Sequence, residues 1–256
     1  MPALHYVRKG SGYPVVLIHG FPFSHTMWEP QIEMLSKDYD VIAPDLPGFG
    51  GSPVVNPITI AEMADQVAEL LSSLEIRKCI IVGFSMGGYV SFELLQRHSE
   101  LAGGLVLADT KAGNDTEEGK AGRRKLAEAV IANGSGAASE AMLGKLLAPN
   151  ASTVKPELVQ QVDRMIREAS PEAIAAASLA MAERADMTSS LGDIRIPVLV
   201  LVGSEDGITP PDGAKQMASA ISEASVKVID QAGHLANLEQ PQAFTEALLE
   251  WLKKYV

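Results

Sequence analysis

The sequence contains very little cysteine and an excess of acidic over basic side chains. One cysteine, Cys79, occurs in 256 residues, which excludes an intramolecular disulfide and suggests no thiolate metal site. Its apolar surroundings predict a buried, inert thiol. Lys and Arg total 21 against 32 Asp and Glu, a formal net charge of −11. This balance disfavours nucleic acid and anionic membranes as partners, because both bind basic patches.

Long apolar runs and several ligand-binding motifs are also absent. No run approaches the roughly 20 apolar residues of a membrane span, and the N-terminal residues lack the basic and apolar regions of a signal peptide. We therefore expect a cytoplasmic location. The loop Gly48-Phe49-Gly50-Gly51 lacks the remainder of a dinucleotide motif and any P-loop lysine, and His19 and His25 lack zinc-site spacing. The sequence thus predicts no cofactor and no metal.

Apolar strand-like runs alternate with helical patterns, which predicts a parallel sheet flanked by helices. The expected strands are 14–18, 39–43, 79–82, 104–108, 197–202 and 226–229, with a weaker edge strand at 4–8. The expected helices are 25–36, 59–74, 86–98, 211–221 and 240–254.

The alternation stops between residues 111 and 190, where no run is typical of a strand. Helical patterns occur there near 117–132, 136–147, 156–169 and 171–184. Pro156 and Pro171 fit the first turns of helices. We therefore expect a core domain formed by 1–110 and 191–256, and a helical insertion at 111–190 that acts as a cap.

The motif with the most chemical content is Gly83-Phe84-Ser85-Met86-Gly87. It fits G-x-S-x-G, in which a serine lies on a sharp turn between a strand and a helix. An apolar run precedes it and a helical pattern follows it, as that turn requires. Ser85 is therefore the candidate nucleophile.

A serine nucleophile needs a neighbouring base. Among five histidines, His234 follows the last predicted strand and should reach the carboxyl edge of the sheet, where Ser85 also lies. His19 ends the first strong strand and is interpreted as a residue that fixes its loop. His5, His25 and His98 are assigned no chemistry.

The base in turn needs a carboxylate that orients it. Asp206 follows the strand 197–202 and satisfies the chain order Ser, Asp, His. Asp109 competes with it, because the strand 104–108 delivers its end to the same edge. Glu205 is a weaker competitor, since its side chain should point away from that of Asp206 in an extended chain.

Acyl transfer also requires hydrogen-bond donors for an oxyanion. The backbone N–H of Met86, which follows the nucleophile, is one candidate. The other comes from the loop His19-Gly20-Phe21-Pro22, where Phe21 is the expected donor because proline has no N–H.

Jointly these motifs, with the run 45–52 and the pairs Gly203…Asp206 and Gly233-His234, resemble the α/β-hydrolase superfamily over nearly the whole chain. Within it, the sequence is most similar to small bacterial carboxylesterases and relatives of 3-oxoadipate enol-lactonase, a subgroup that the stretch 108–116 also resembles. The resemblance implies a mostly parallel sheet of seven or eight strands with helices on both faces. It also implies a helical cap inserted after the sixth strand of the family pattern.

In that subgroup the acid follows the later strand, which favours Asp206 over Asp109. Haloalkane dehalogenases and epoxide hydrolases carry aspartate where this chain has Ser85, so the resemblance excludes them. Acyltransferases that use acyl-CoA remain compatible with the same three residues. The implied reaction is hydrolysis of a small-molecule ester or lactone by water, and no oligomeric state is inferred.

Adaptable apolar side chains favour a small-to-medium, mostly uncharged acyl ester as the substrate. The candidate pocket residues are Phe23, Trp28, Phe84, Met142, Met165 and Met181. An enol-lactone derived from a dicarboxylate would need a cationic anchor, and five arginines of the predicted cap are available: Arg123, Arg124, Arg164, Arg167 and Arg184. We rank esterase first, enol-lactonase second and a non-catalytic ligand-binding protein of this fold third. Perhydrolysis of carboxylic acids is an expected side reaction.

Overall fold

A computed structural model describes residues 4–256. Seven strands form one sheet in the order β1-β3-β2-β4-β5-β6-β7. Their bounds are β1 (Tyr6–Lys9), β2 (Pro14–Ile18), β3 (Asp40–Pro44), β4 (Cys79–Phe84), β5 (Ala102–Ala108), β6 (Val198–Gly203) and β7 (Ala224–Ile229). β1 pairs antiparallel with β3, and every other pairing is parallel. The predicted fold class is confirmed.

Eleven α-helices accompany the sheet in the described residues. They are α1 (Glu29–Leu35), α2 (Ile60–Ser73), α3 (Met86–Arg97), α4 (Glu117–Asn133), α5 (Gly136–Leu146), α6 (Ala151–Val154), α7 (Pro156–Glu168), α8 (Pro171–Ala182), α9 (Pro211–Ser219), α10 (Ala236–Glu239) and α11 (Pro241–Tyr255). Short 3₁₀ helices occupy His25–Trp28, Ser99–Leu101 and Thr188–Asp193. None of the helices within 4–256 is both long and apolar enough to cross a membrane.

The strand sequences explain the positions of the strands in the sheet. All six residues of β4 and all six of β6 are buried, as expected for central parallel strands that are covered on both faces. β1 and β7 lie at the two edges and keep several residues exposed. Cys79 is buried in β4, and burial raises the pKa of its thiol to about 12, in agreement with an inert cysteine.

Chain direction places helices on both faces of the sheet. The connection from β2 through α1 to β3 runs toward one edge, whereas β3-α2-β4, β4-α3-β5 and β6-α9-β7 run toward the other. Because such crossovers are right-handed, α1 lies on one face and α2, α3 and α9 lie on the opposite face. α11 packs against α1. The direction reverses beside β2 and β4, which is where ligands bind in open parallel sheets.

One helix prediction was wrong in detail. The expected helix 25–36 is a 3₁₀ turn followed by α1, because Pro30 lies in the first turn of α1 and has no N–H to continue an earlier helix. The expected helix 240–254 is confirmed by α11, which begins at Pro241, and the short helix α10 precedes it.

Between β5 and β6 the chain forms helices only, α4 to α8, in the part predicted as a cap. We call residues 111–190 the helical segment. α8 packs along α4, α5 packs against α7, and α8 also contacts α2 of the sheet-bearing part. The segment therefore contacts the sheet-bearing part through α8.

Candidate active site

Ser85 occupies the turn between β4 and α3, with backbone angles of φ 50° and ψ −109°. A positive φ is costly for a residue other than glycine, so the surroundings must hold it. The N–H of Ser85 donates to the carbonyl of Ala108 at 2.9 Å, and the Thr110 hydroxyl donates to the carbonyl of Ser85 at 2.8 Å. The turn presents the Ser85 side chain at the carboxyl edge of the sheet.

The two glycines of the motif are required by close backbone approaches. A Cβ on Gly87 would lie 2.2 Å from the carbonyl oxygen of Ile18, and one on Gly83 would lie 2.4 Å from the carbonyl oxygen of Gly87. Both separations are far below a van der Waals contact. Any larger residue at either position would therefore displace β2 or the start of α3.

His234 lies in the loop after β7 and is buried, with 3% of its surface exposed. Its Nε2 is 3.0 Å from Ser85 Oγ, and its Nδ1 is 2.9 Å from Asp206 Oδ2. The ring of Phe84 meets the imidazole edge-on. Since Nδ1 donates to the carboxylate, Nε2 is the nitrogen free to accept a proton from Ser85.

Asp206 is held by several donors in the loop after β6. Its Oδ1 accepts the N–H groups of Ile208 and Thr209 at 2.8 and 3.0 Å, and its Oδ2 accepts from the Thr209 hydroxyl and from His234. Burial opposes the charged form, but the hydrogen bonds from His234 and Thr209 outweigh it and lower the pKa of Asp206. The carboxylate is therefore charged at neutral pH.

Thr209 is a residue that the sequence analysis missed. Its hydroxyl binds Asp206 Oδ2 and lies 3.3 Å from His234 Nδ1, so it contacts both partners of the pair. A local signal existed: aspartate commonly accepts backbone N–H groups two and three residues ahead in a turn. In Asp206-Gly207-Ile208-Thr209, this turn pattern indicates that Asp206 is the carboxylate bound by the backbone N–H groups of Ile208 and Thr209.

The competing carboxylates occupy different positions. Asp109 is fully buried at the same edge and accepts the N–H of Gly203 through Oδ1 at 2.8 Å. Burial and the neighbouring charge of Asp206 raise the pKa of Asp109 well above its ordinary value. Glu205 is exposed. In the structure, Asp206 thus hydrogen-bonds to His234, Asp109 is buried at the same edge, and Glu205 is exposed.

The two predicted oxyanion donors lie at the start of α3 and in the loop after β2. Met86 is the first residue of α3, where backbone N–H groups have no intrahelical acceptor. Phe21 lies in the loop after β2, which His19 fixes by donating from Nδ1 to the carbonyl of Gly20 and accepting the N–H of Leu46 at Nε2. Burial lowers the pKa of His19 to about 4, so this ring is neutral. The structural interpretation of His19 agrees with these contacts.

The predicted pocket residues do not form one group. Phe23 and Met165 line a common cavity of about 340 Å³ beside the loop 48–51. Trp28 is fully buried and packs against Phe84 and Phe244. Met181 is buried in α8, and Met142 is partly buried in α5. Neither Ser85 nor His234 lines the cavity of Phe23 and Met165. Contact of these six residues with a substrate stays a prediction.

Two groups of described residues bring three potential metal ligands together: His5, His25 and Asp45, and Asp109, Asp206 and His234. In the first group both histidines hydrogen-bond to Asp45, which also accepts the N–H groups of His25 and Gly51. In the second group, Asp206 and His234 bind each other. Hydrogen bonds within the protein thus hold the first group and join Asp206 to His234 in the second, and we assign no metal to either.

The sequence is similar to a known protein family and to several hydrolases. A family model described as the alpha/beta hydrolase fold matches residues 13–241. A 3-oxoadipate enol-lactonase from Acinetobacter baylyi is 29% identical over 93% of this chain and 88% of its own length. A pimeloyl-[acyl-carrier protein] methyl ester esterase from Neisseria meningitidis is 32% identical over 90% of this chain and 89% of its own.

Among solved structures, a thermophilic esterase from Thermogutta terrifontis, with malate bound, superposes with a TM-score of 0.96. It is 42% identical and the match covers 98% of this chain and 93% of the esterase. The resemblance inferred from the motifs is therefore confirmed for the fold and the subgroup of hydrolases.

Proposed function

Because this chain belongs to the alpha/beta hydrolase fold family, we propose that it hydrolyses carboxylic esters through an acyl-enzyme on Ser85. The observation that carries the proposal is the chain of contacts from Ser85 Oγ to His234 Nε2 and from His234 Nδ1 to Asp206. A serine becomes a competent nucleophile when a base lies within hydrogen-bond reach and a third group orients that base.

In the first half-reaction, Ser85 Oγ attacks the ester carbonyl while His234 Nε2 accepts the hydroxyl proton. The N–H groups of Phe21 and Met86 stabilise the negative oxygen of the tetrahedral intermediate. His234 then returns the proton to the leaving alcohol, and the acyl group stays on Ser85. Water attacks the acyl-enzyme in the same way, and His234 takes its proton. His234 then gives that proton to Ser85 Oγ as the bond to the acyl group breaks, and the carboxylic acid leaves.

The proposed substrates are esters of small-to-medium, mostly apolar acyl groups. The helical segment 111–190 acts as the cap in this proposal, on a core of 1–110 and 191–256. Its contacts with the core support that role: Ala173 packs against Gly48, and the Arg184 guanidinium lies 4.2 Å from the centre of the Tyr89 ring. Phe23 and Met165, one from each part, supply apolar surface at the junction.

An enol-lactone is the second candidate substrate, since the relatives from Acinetobacter baylyi carry that name. A lactone with a free carboxylate would require a cation of the cap. Four of the five candidate arginines already pair with carboxylates of the segment: Arg123 and Arg184 with Asp115, Arg124 with Glu183, and Arg167 with Asp163. This pairing supports the ester over the lactone.

Two measurements test the proposal. Fluorophosphonate labelling and p-nitrophenyl butyrate hydrolysis should both be lost in Ser85→Ala, with kcat falling by about 10⁶-fold as for other triad serines. The exposed Ser219 on α9 provides the control, and Ser219→Ala should behave as wild type. Ester hydrolysis retained by Ser85→Ala would overturn the assignment. No labelling of the wild-type protein would favour the non-catalytic, ligand-binding alternative.

The substrate class needs a second comparison. Wild-type kcat/KM should be measured for p-nitrophenyl acetate, butyrate and octanoate and for 3-oxoadipate enol-lactone. We expect higher values for the short and medium esters than for the lactone. A preference for the lactone would reverse our order of candidates without changing the role of Ser85.

A further inference from the structure

The carboxylate of Glu239 joins two distant parts of the chain beside the candidate site. Glu239 ends α10 and is buried, with 3% of its surface exposed. Its Oε1 accepts the N–H of Gly233 at 2.7 Å, and its Oε2 accepts the N–H of Ala148 at 2.9 Å. Buried charged acceptors form strong hydrogen bonds with backbone N–H groups, so this side chain fixes both amides.

The two amides belong to parts with different roles. Gly233 immediately precedes His234, whereas Ala148 follows α5 in the helical segment. The same two stretches meet again where Leu235 N–H donates to the carbonyl of Leu146 at 3.0 Å. A Cβ on Gly233 would lie 2.5 Å from the nitrogen of Ala148, so the backbones are in direct contact. The loop that carries His234 is therefore fastened to the segment on both sides of the histidine.

We propose that Glu239, Gly233 and Ala148 form a clasp that positions His234 against Ser85 and makes that position depend on the seating of the helical segment. This proposal rests on the proposed function of Ser85 and His234. Glu239 touches neither of them in the described contacts, so it is a positioning residue. Loosening the clasp releases the backbone next to His234 and lengthens the Nε2–Oγ contact, on which proton transfer depends.

The clasp needs a carboxylate for a geometric reason. Two oxygens accept from two separate amides, whereas glutamine offers one acceptor oxygen and an NH₂ group that would face an N–H. Lys155 donates to the backbone carbonyl of Glu239 and keeps a positive charge nearby, while Glu205 adds a negative charge from the loop after β6. Burial raises the pKa of Glu239.

The test uses the full chain with Glu239→Gln, and Glu250→Gln as the control because Glu250 is an exposed residue of α11. We expect Glu239→Gln to lower kcat for p-nitrophenyl butyrate and the fluorophosphonate labelling rate by about 10- to 100-fold, the scale of a 1 Å misplacement. KM should change far less, and Glu250→Gln should match wild type. A lower melting temperature with unchanged kcat and labelling would overturn the proposal, since it would mean that Glu239 is only structural.

Hydrogen exchange gives a second readout that does not need the variant to fold well. In the wild-type protein, the amides of Gly233 and Ala148 should open together and respond equally to low concentrations of urea. Independent exchange of the two amides would overturn the coupling. A wild-type protein that hydrolyses no ester would instead contradict the proposed function, and the exchange data would still decide whether the clasp exists.

Discussion

At the carboxyl edge of the sheet, backbone groups supply many of the contacts that hold the candidate site, whereas ion pairs between side chains join parts of the helical segment. Ser85 lies in a strained turn, and the glycines that flank it approach backbone carbonyls so closely that an added Cβ would clash with them. Asp206 accepts hydrogen bonds from two backbone N–H groups. In the segment, Asp115 binds Lys111, Arg123 and Arg184 through side chains alone. The edge therefore depends on the path of the chain, and the segment depends on which side chains meet.

This difference has a functional meaning under the proposed mechanism. Geometry fixed by the backbone persists when exposed side chains change, so the edge suits a reaction that needs atoms held within a few tenths of an ångström. A segment held by side chains can change its lining through substitutions that leave the sheet intact.

The largest expected effect separates the two buried carboxylates of the edge. Asp206→Asn should lower kcat by about 10⁴-fold, because an amide can hold the wrong tautomer of His234. Asp109→Asn should cause a far smaller loss, since the amide oxygen can still accept the N–H of Gly203. Steady-state kinetics with p-nitrophenyl butyrate measure both. The opposite ranking would make Asp109 the orienting acid.

In the helical segment, Asp115→Asn should cost about 3 kcal/mol of unfolding free energy at pH 7, because it leaves the buried Arg184 without its carboxylate. Burial opposes the charge of Asp115, but the bonds from Arg184 and Arg123 dominate and hold its pKa well below the ordinary 3.8. The contribution of Asp115 to the unfolding free energy is thus fully present above pH 3.8 and is lost as the pH falls toward the lowered pKa.

Urea unfolding of both proteins at pH 7 and pH 3 checks this pH dependence, and the difference between them should be smaller at pH 3. Glu117→Gln, at an exposed position of α4, provides the control for loss of one negative charge. An equal difference at both pH values would show that the charge of Asp115 does not stabilise the segment.

The same substitution, glycine to alanine, can be compared at the carboxyl edge of the sheet and in the helical segment. Gly87→Ala should destabilise the protein by about 1–3 kcal/mol, since the added Cβ would meet the carbonyl of Ile18. Gly122→Ala in α4 should stabilise it by about 0.5–1 kcal/mol, because nothing lies within 4 Å of the added Cβ and alanine favours a helix. Thermal unfolding measures both. Equal effects would contradict the contrast between the regions.

The smallest expected effect concerns substrate selection at the junction. Met165→Ala enlarges the cavity shared with Phe23, so kcat/KM for p-nitrophenyl octanoate should rise relative to butyrate by about tenfold, the lower end of the range for one methylene group. Leu179→Ala, at an exposed position of α8, provides the control. An unchanged ratio would mean that this cavity does not receive the acyl chain.

The sequence predicted the sheet and most of its helices because apolar periodicity and proline positions are local signals. It could not resolve the break at Pro30, where two short helical pieces replace one long one. It also missed α6 and α10, which are four residues each. Such short helices are stabilised by their tertiary contacts, since four residues cannot sustain a helix alone.

By itself, the sequence determined the fold, the elbow around Ser85 and a short list of candidate partners. The strand ranges and the order of the residues along the chain suffice for this, because parallel strands deliver their ends to one edge. The choice among Asp206, Asp109 and Glu205 depends on how the loops after β5 and β6 turn. The clasp of Glu239 depends on residues 91 positions apart in the chain. Only the packed structure decides such contacts, because no local pattern specifies which buried amides one carboxylate will meet.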